Sequence, residues 1–188
     1  MFTLMSQLVK KFLLAGLVLT LGLTALPATA AFAASSGPST PPAPTPINPN
    51  QVLQQRFADE KATNGHQGTE LALSGPLINV AKLVIAAANK HGLNTSNAEA
   101  ALDNFQRAVI VARLIHGYAQ DIIAAHPGFD AQGFVTNRVL AAQTVNNLGN
   151  VQENFRDAYH PPFNDLVEAL RDLIKQFSPS QPIPALLS

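Results

Sequence analysis

The chain contains no cysteine and no tryptophan, and its two methionines, Met1 and Met5, both stand at the extreme N-terminus. No disulfide framework, thiolate metal site or cysteine nucleophile can be built from it. Charge is scarce as well. Only 13% of residues are Asp, Glu, Lys or Arg, and twelve basic residues balance twelve acidic ones. A clustered basic surface, which nucleic acid demands, is therefore not expected. Alternating strand-like runs are missing too, so nothing after Asn50 argues for a sheet.

What is present begins with an address. Lys10-Lys11 precede an apolar run from Phe12 to Leu26, followed by Pro27 and Ala28-Thr29-Ala30. A basic start, a short apolar core and an Ala-x-Ala site describe a secretory signal peptide over residues 1–30. The run is shorter than the roughly 20 residues a membrane-spanning helix needs, and a stable membrane span after cleavage is not expected. Cleavage removes Lys10 and Lys11, leaving ten basic against twelve acidic residues, a net charge of −2. Residues 31–49 are rich in Pro, Ser and Thr. They read as a flexible spacer with polyproline character. The helical bundle domain is placed at 50–178 and a flexible tail at 179–188. Without disulfides, the domain must rest on a hydrophobic core, and about 130 residues are enough to form one.

From Asn50 onward, apolar residues recur at threes and fours. This predicts an all-α fold: an antiparallel, up-down-up bundle of three long helices, coiled-coil-like, with breaks in the first and third. The second helix is the clearest. Its stripe runs Leu102, Phe105, Val109, Ala112, His116, Ala119, Ile123, His126. Gly92 is expected to end the helix before it, with Leu93 packing back. Ser96 and Glu99 have capping-box spacing. The first helix is expected to loosen at residues 64–68 and restart at Ser74-Gly75-Pro76. The third has Ala141, Val145, Leu148, Val151, Phe155 and Ala158 on its apolar face, and His160-Pro161-Pro162 is expected to kink or break it. The first and third helices are expected to overhang the second, before about residue 61 and after about residue 166.

The joint between the second and third helices reads His126-Pro127-Gly128-Phe129-Asp130-Ala131-Gln132-Gly133-Phe134-Val135-Thr136. A calcium loop started at Asp130 would need oxygen ligands at its third and fifth positions, glycine at the sixth and glutamate at the twelfth. Gln132, Phe134, Val135 and Ala141 stand there, so a turn is the better reading. Thr136 is expected to cap the third helix, with Val135 and Leu140 as its staple. Phe129 and Phe134 are expected to plug the bundle's end. The segments 94–106 and 124–136 resemble an arrangement in uncharacterised exported bacterial α-helical proteins. Those have a Thr-Ser-capped, Ala-rich helix and a Gly-Phe-Asp-Ala-x-Gly-x-Val-Thr turn. The resemblance spans roughly residues 77–160. It implies a helical hairpin and no particular activity.

Chemistry-bearing residues are sparse. His91, His126 and His160 sit at predicted helix ends, where a C-terminal dipole favours imidazolium, and His66 lies among glycines. His116 is expected near Glu70-Leu71 and Asn146-Asn147, with Asn146, Asn147 or Glu70 as its polar neighbour. It stands about 15 Å along the helix axis from His126 and about 30 Å from the His91 end, which disfavours a bis-histidine haem or metal site. No activated-serine turn or phosphate loop occurs, so no catalytic residue, cofactor or metal is assigned and enzyme activity is not expected.

Two surfaces stand out instead. Gln143, Asn146, Asn147, Asn150 and Asn154 form an uncharged amide stripe, a candidate for binding a glycan or small polar ligand. Phe163, Leu166, Val167, Leu170, Leu173, Ile174 and Phe177 share one face of the last segment. They are candidates for binding another protein or a second copy, unless the segment folds back on its own bundle. The function expected from the sequence is an exported, non-enzymatic domain, secreted or held at the cell envelope, that acts by protein binding or assembly. Binding through the amide stripe is the alternative.

Overall fold

A computed structural model of the protein describes residues 48–177. The expected signal segment, the spacer up to residue 47 and the tail lie outside the described residues. Three helices fill the described region: α1 (Pro49–Lys90), α2 (Ser96–Ala125) and α3 (Arg138–Phe177). They pack on one another as an all-α three-helix bundle. Paired residues run in opposite numerical order along α1 and α2: Asn89 bonds Glu99, and Asn64 bonds His116. Phe105 of α2 meets Phe163 of α3, while Pro127, just past the end of α2, meets Thr144 of α3. Both α1 and α2 contain a stretch long and apolar enough to cross a membrane by length and composition alone.

The helices are continuous where breaks were expected, and this is a correction. Pro76 lies inside α1, and Pro161 and Pro162 lie inside α3. An interior proline costs about 3 kcal/mol, mainly through a lost hydrogen bond and a clash with the carbonyl four residues back. Pro76 and Pro161 are exposed, as are Ala72 and Asp157, whose carbonyls they leave without their helical partner. The turns on either side bury Leu71, Ser74 and Ala81 in α1, and Tyr159, Leu166 and Leu170 in α3. Each buried leucine is worth about 1.5–3 kcal/mol, so packing on both sides offsets much of the cost of these prolines. The helix also continues through residues 64–68, with Asn64 and Gln67 turned inward.

Helix ends follow local chemistry. At the start of α1 the Asn48 side chain accepts the amide of Asn50, and Pro49 occupies the first turn. At its end Gly92 takes φ +71, Leu93 N–H bonds Ala88 O and Gly92 N–H bonds Asn89 O. That pair of bonds is a Schellman close, as Gly92-Leu93 predicted. The cap of α2 moves back one residue from expectation, to Thr95. Glu99 reaches back, but to the side chains of Thr95 (2.8 Å) and Asn89 (3.0 Å). These bonds hold the Glu99 carboxyl below its ordinary pKa.

The cap of α3 is Asn137 rather than Thr136. Its Oδ1 accepts the amides of Val139 and Leu140, both at 3.1 Å. In the joint, Asp130 Oδ1 accepts Gln132 N–H and Phe134 N–H. Phe129 is buried and stacks on Phe57 at 4.3 Å between ring centroids. Phe134 and Leu140 stay largely exposed, so neither the second plug nor the staple forms as expected. Gly128, at φ +85, presses against α3: a Cβ there would lie 2.2 Å from the Ala141 amide nitrogen.

The expected overhangs are covered. The early part of α1 is capped by Phe129 of the joint. The late part of α3 lies beside the first turns of α2, since Asn97, Ala98 and Ala101 share a groove with Ala169, Asp172 and Leu173.

Candidate functional site

In α1, Phe57, Glu60, Asn64, Gln67, Leu71, Ser74, Ile78, Ala81, Ile85 and Ala88 follow one another at alternating steps of three and four. That is the spacing of a helix seam. Its early half is polar. Asn64, Gln67 and Ser74 are buried and Glu60 is half-buried. Facing elements answer with polar groups. Gln152, buried in α3, donates from Nε2 to the Glu60 carbonyl at 2.7 Å. His116 in α2 lies 3.1 Å from the Asn64 carbonyl. A carbonyl can only accept, so Nε2 carries the proton. The absent side chain of Gly68 makes room for this ring, because a Cβ there would sit 3.2 Å from Nε2.

Higher up the seam, the Ser74 hydroxyl is 3.0 Å from the Glu70 carbonyl and 2.9 Å from the Tyr159 hydroxyl. Burial pushes the Tyr159 phenol above its ordinary pKa, against the opposing effect of the Ser74 bond. Glu70 Oε2 lies 3.5 Å from His160 Nε2. Burial likewise raises the Glu60 carboxyl, more than nearby Arg56 lowers it. Among the described residues, Asn64 Oδ1, Gln67 Oε1 and Glu70 Oε2 are buried without a hydrogen-bond partner.

This seam fixes the register of His116. Its partner is Asn64, not Glu70, Asn146 or Asn147; both asparagines are exposed on α3. His160 is mid-helix rather than at an end, His66 is exposed within α1, and His126 closes α2 in a left-handed conformation at φ 35. Among the described residues, no group of three His, Asp or Glu side chains is placed to hold a metal.

The two surfaces named from the sequence fare differently. Gln143, Asn146, Asn147, Asn150 and Asn154 all lie exposed along α3. An open groove of about 450 Å³ is lined by other residues, among them Asn94, Asn97, Asn104, Asp165 and Glu168. The apolar face of 163–177 is turned inward. Leu166, Leu170 and Leu173 are core, Phe163, Val167 and Ile174 are half-buried, and the Phe177 side chain lies outside the described residues. Because α3 continues through its prolines, this face runs along the bundle instead of folding across its end or facing outward. As a free partner surface it is corrected: three of its seven residues are covered by their own chain.

Sequence reasoning missed a third surface. On the outer side of α2, Ile110, Val111, Leu114 and Tyr118 are 61%, 47%, 72% and 59% exposed. The signal was present: apolar residues continue round α2 beyond the inward stripe. Compared with protein families, curated proteins and solved structures, the chain finds no match.

Proposed function

We propose that the protein is an exported, non-enzymatic helical module that works by protein–protein contact at the cell envelope, with the outer face of α2 as its binding surface. One observation carries this reading. Ile110, Val111, Leu114 and Tyr118 stand on consecutive turns of one helix, and all four are largely in water. The bundle does not need them for its core, which Leu102, Phe105, Val109 and Ala112 supply from the opposite side of α2. Contiguous exposed apolar groups rimmed by polar ones are the usual mark of an interaction surface. Export is supported by the signal-like residues 1–30.

The test is Leu114→Glu. Glutamate is a good helix former and Leu114 packs little, so the melting temperature should hold. Association of the protein with isolated envelope material should fall at least tenfold. Unchanged association, with the variant folded, contradicts the reading.

A further inference from the structure

The outer face of α2 is symmetric in sequence about Leu114. Ile110 and Tyr118 lie four residues to either side of it, and Arg107 and Asp121 lie seven residues to either side. Seven residues is close to two helical turns, so Arg107, Leu114 and Asp121 share one face. The two charged residues are exposed, and neither takes part in an ion pair among the described residues. Gly117 and Val111 are related in the same way, three residues to either side, and the space above Gly117 is open.

We infer that the occupant of this face is a second copy of the chain, with the two α2 helices antiparallel about a two-fold axis at Leu114. This deepens the proposed function and rests on it. In that arrangement Leu114 meets its own counterpart, and Ile110 of each copy meets Tyr118 of the other. Val111 sits over Gly117, where no side chain obstructs it. Arg107 of each copy stands opposite Asp121 of the other, so two opposite-charge pairs bracket the apolar centre. A parallel pairing of the same faces would set arginine against arginine and aspartate against aspartate. Charge complementarity therefore selects the antiparallel dimer over the parallel one. A two-fold pairing also closes on itself and leaves no open apolar end. Four large side chains per copy make a small interface, so a dimer with Kd on the order of micromolar is expected.

The experiment is sedimentation across a dilution series. The full chain is expressed, and the protein is recovered in the processed form the cell yields. Wild type should pass from dimer to monomer on dilution. Leu114→Glu should be monomeric with an unchanged melting curve. Arg107→Asp and Asp121→Arg should each weaken the dimer at least tenfold, and the double variant Arg107→Asp/Asp121→Arg should restore it. A dimer that ignores Leu114→Glu overturns the inference. So does a double variant as weak as the singles. If wild type is monomeric throughout, self-pairing fails. The proposed binding face then survives only if Leu114→Glu still loses its envelope association, and both fail if it does not.

Discussion

The hydroxyl of Tyr159 lies 2.9 Å from that of Ser74, 85 residues away in the chain, and both are buried. Each hydroxyl has one proton. Both hydroxyls reach the Glu70 carbonyl, Ser74 at 3.0 Å and Tyr159 at 3.2 Å, so the three groups form a closed relay that shares two protons. The relay ties α3 to α1 just before the two interior prolines. Tyr159→Phe should cost about 1 kcal/mol, the typical net worth of one such bond. Each hydroxyl touches two partners, but Ser74→Ala should cost more, because it also leaves a gap in a fully packed position. A negligible cost for both variants, read by chemical denaturation, would contradict the relay.

The two joint glycines should behave differently. Both Gly128 and Gly133 have positive φ, but a Cβ at Gly128 strikes the backbone of α3, whereas a Cβ at Gly133 meets nothing within 4 Å. Gly133→Ala should cost about 1–2 kcal/mol, the penalty of a left-handed alanine. Gly128→Ala should cost more than about 3 kcal/mol, since α3 must move away. Thermal melts of the two variants check the order.

Glu60 gives a pH signature. Burial raises its pKa in the folded protein above the ordinary 4.5. The folded state therefore binds the proton more tightly than the unfolded state. The penalty for ionising it is complete above the folded pKa and vanishes below the unfolded one. Glu60→Gln should raise the melting temperature at neutral pH, and the gain should disappear as pH falls through the raised pKa toward 4.5. A gain that persists at pH 3 would point to some cause other than ionisation.

Gln67 tests the cost of the seam. Its Oε1 is buried without a partner among the described residues, a situation worth about 1–3 kcal/mol of lost stability. Gln67→Leu should therefore stabilise the bundle in urea titrations. A loss of stability would mean that the amide is satisfied in solution.

Much of the fold was legible in the sequence, for reasons particular residues make plain. The inward stripe of α2 was read residue by residue because every member except His116 and the terminal His126 is apolar. The early seam of α1 was read as breaks instead, because Glu60, Asn64, Gln67 and Ser74 occupy it. Apolar periodicity is blind to polar groups turned inward, and Asn-Gly and Ser-Gly-Pro carry turn propensity that packing overrode. Gln152 and Tyr159 escaped notice in α3 for the same reason. The exposed face of α2 escaped notice because Ile110, Val111, Leu114 and Tyr118 lie outside the single inward stripe that was followed.

The claim that the outer face of α2 is covered by a partner can be tested most directly by thiol accessibility. The chain has no cysteine, so one introduced cysteine reports alone. Leu114→Cys and, as reference, Asn147→Cys on exposed α3 are labelled with a maleimide, in envelope preparations and in dilute purified protein. The account predicts that the cysteine at 114 reacts at least tenfold more slowly in the envelope than when dilute. The cysteine at 147 should react quickly in both. Equal rates at 114 under the two conditions would contradict it.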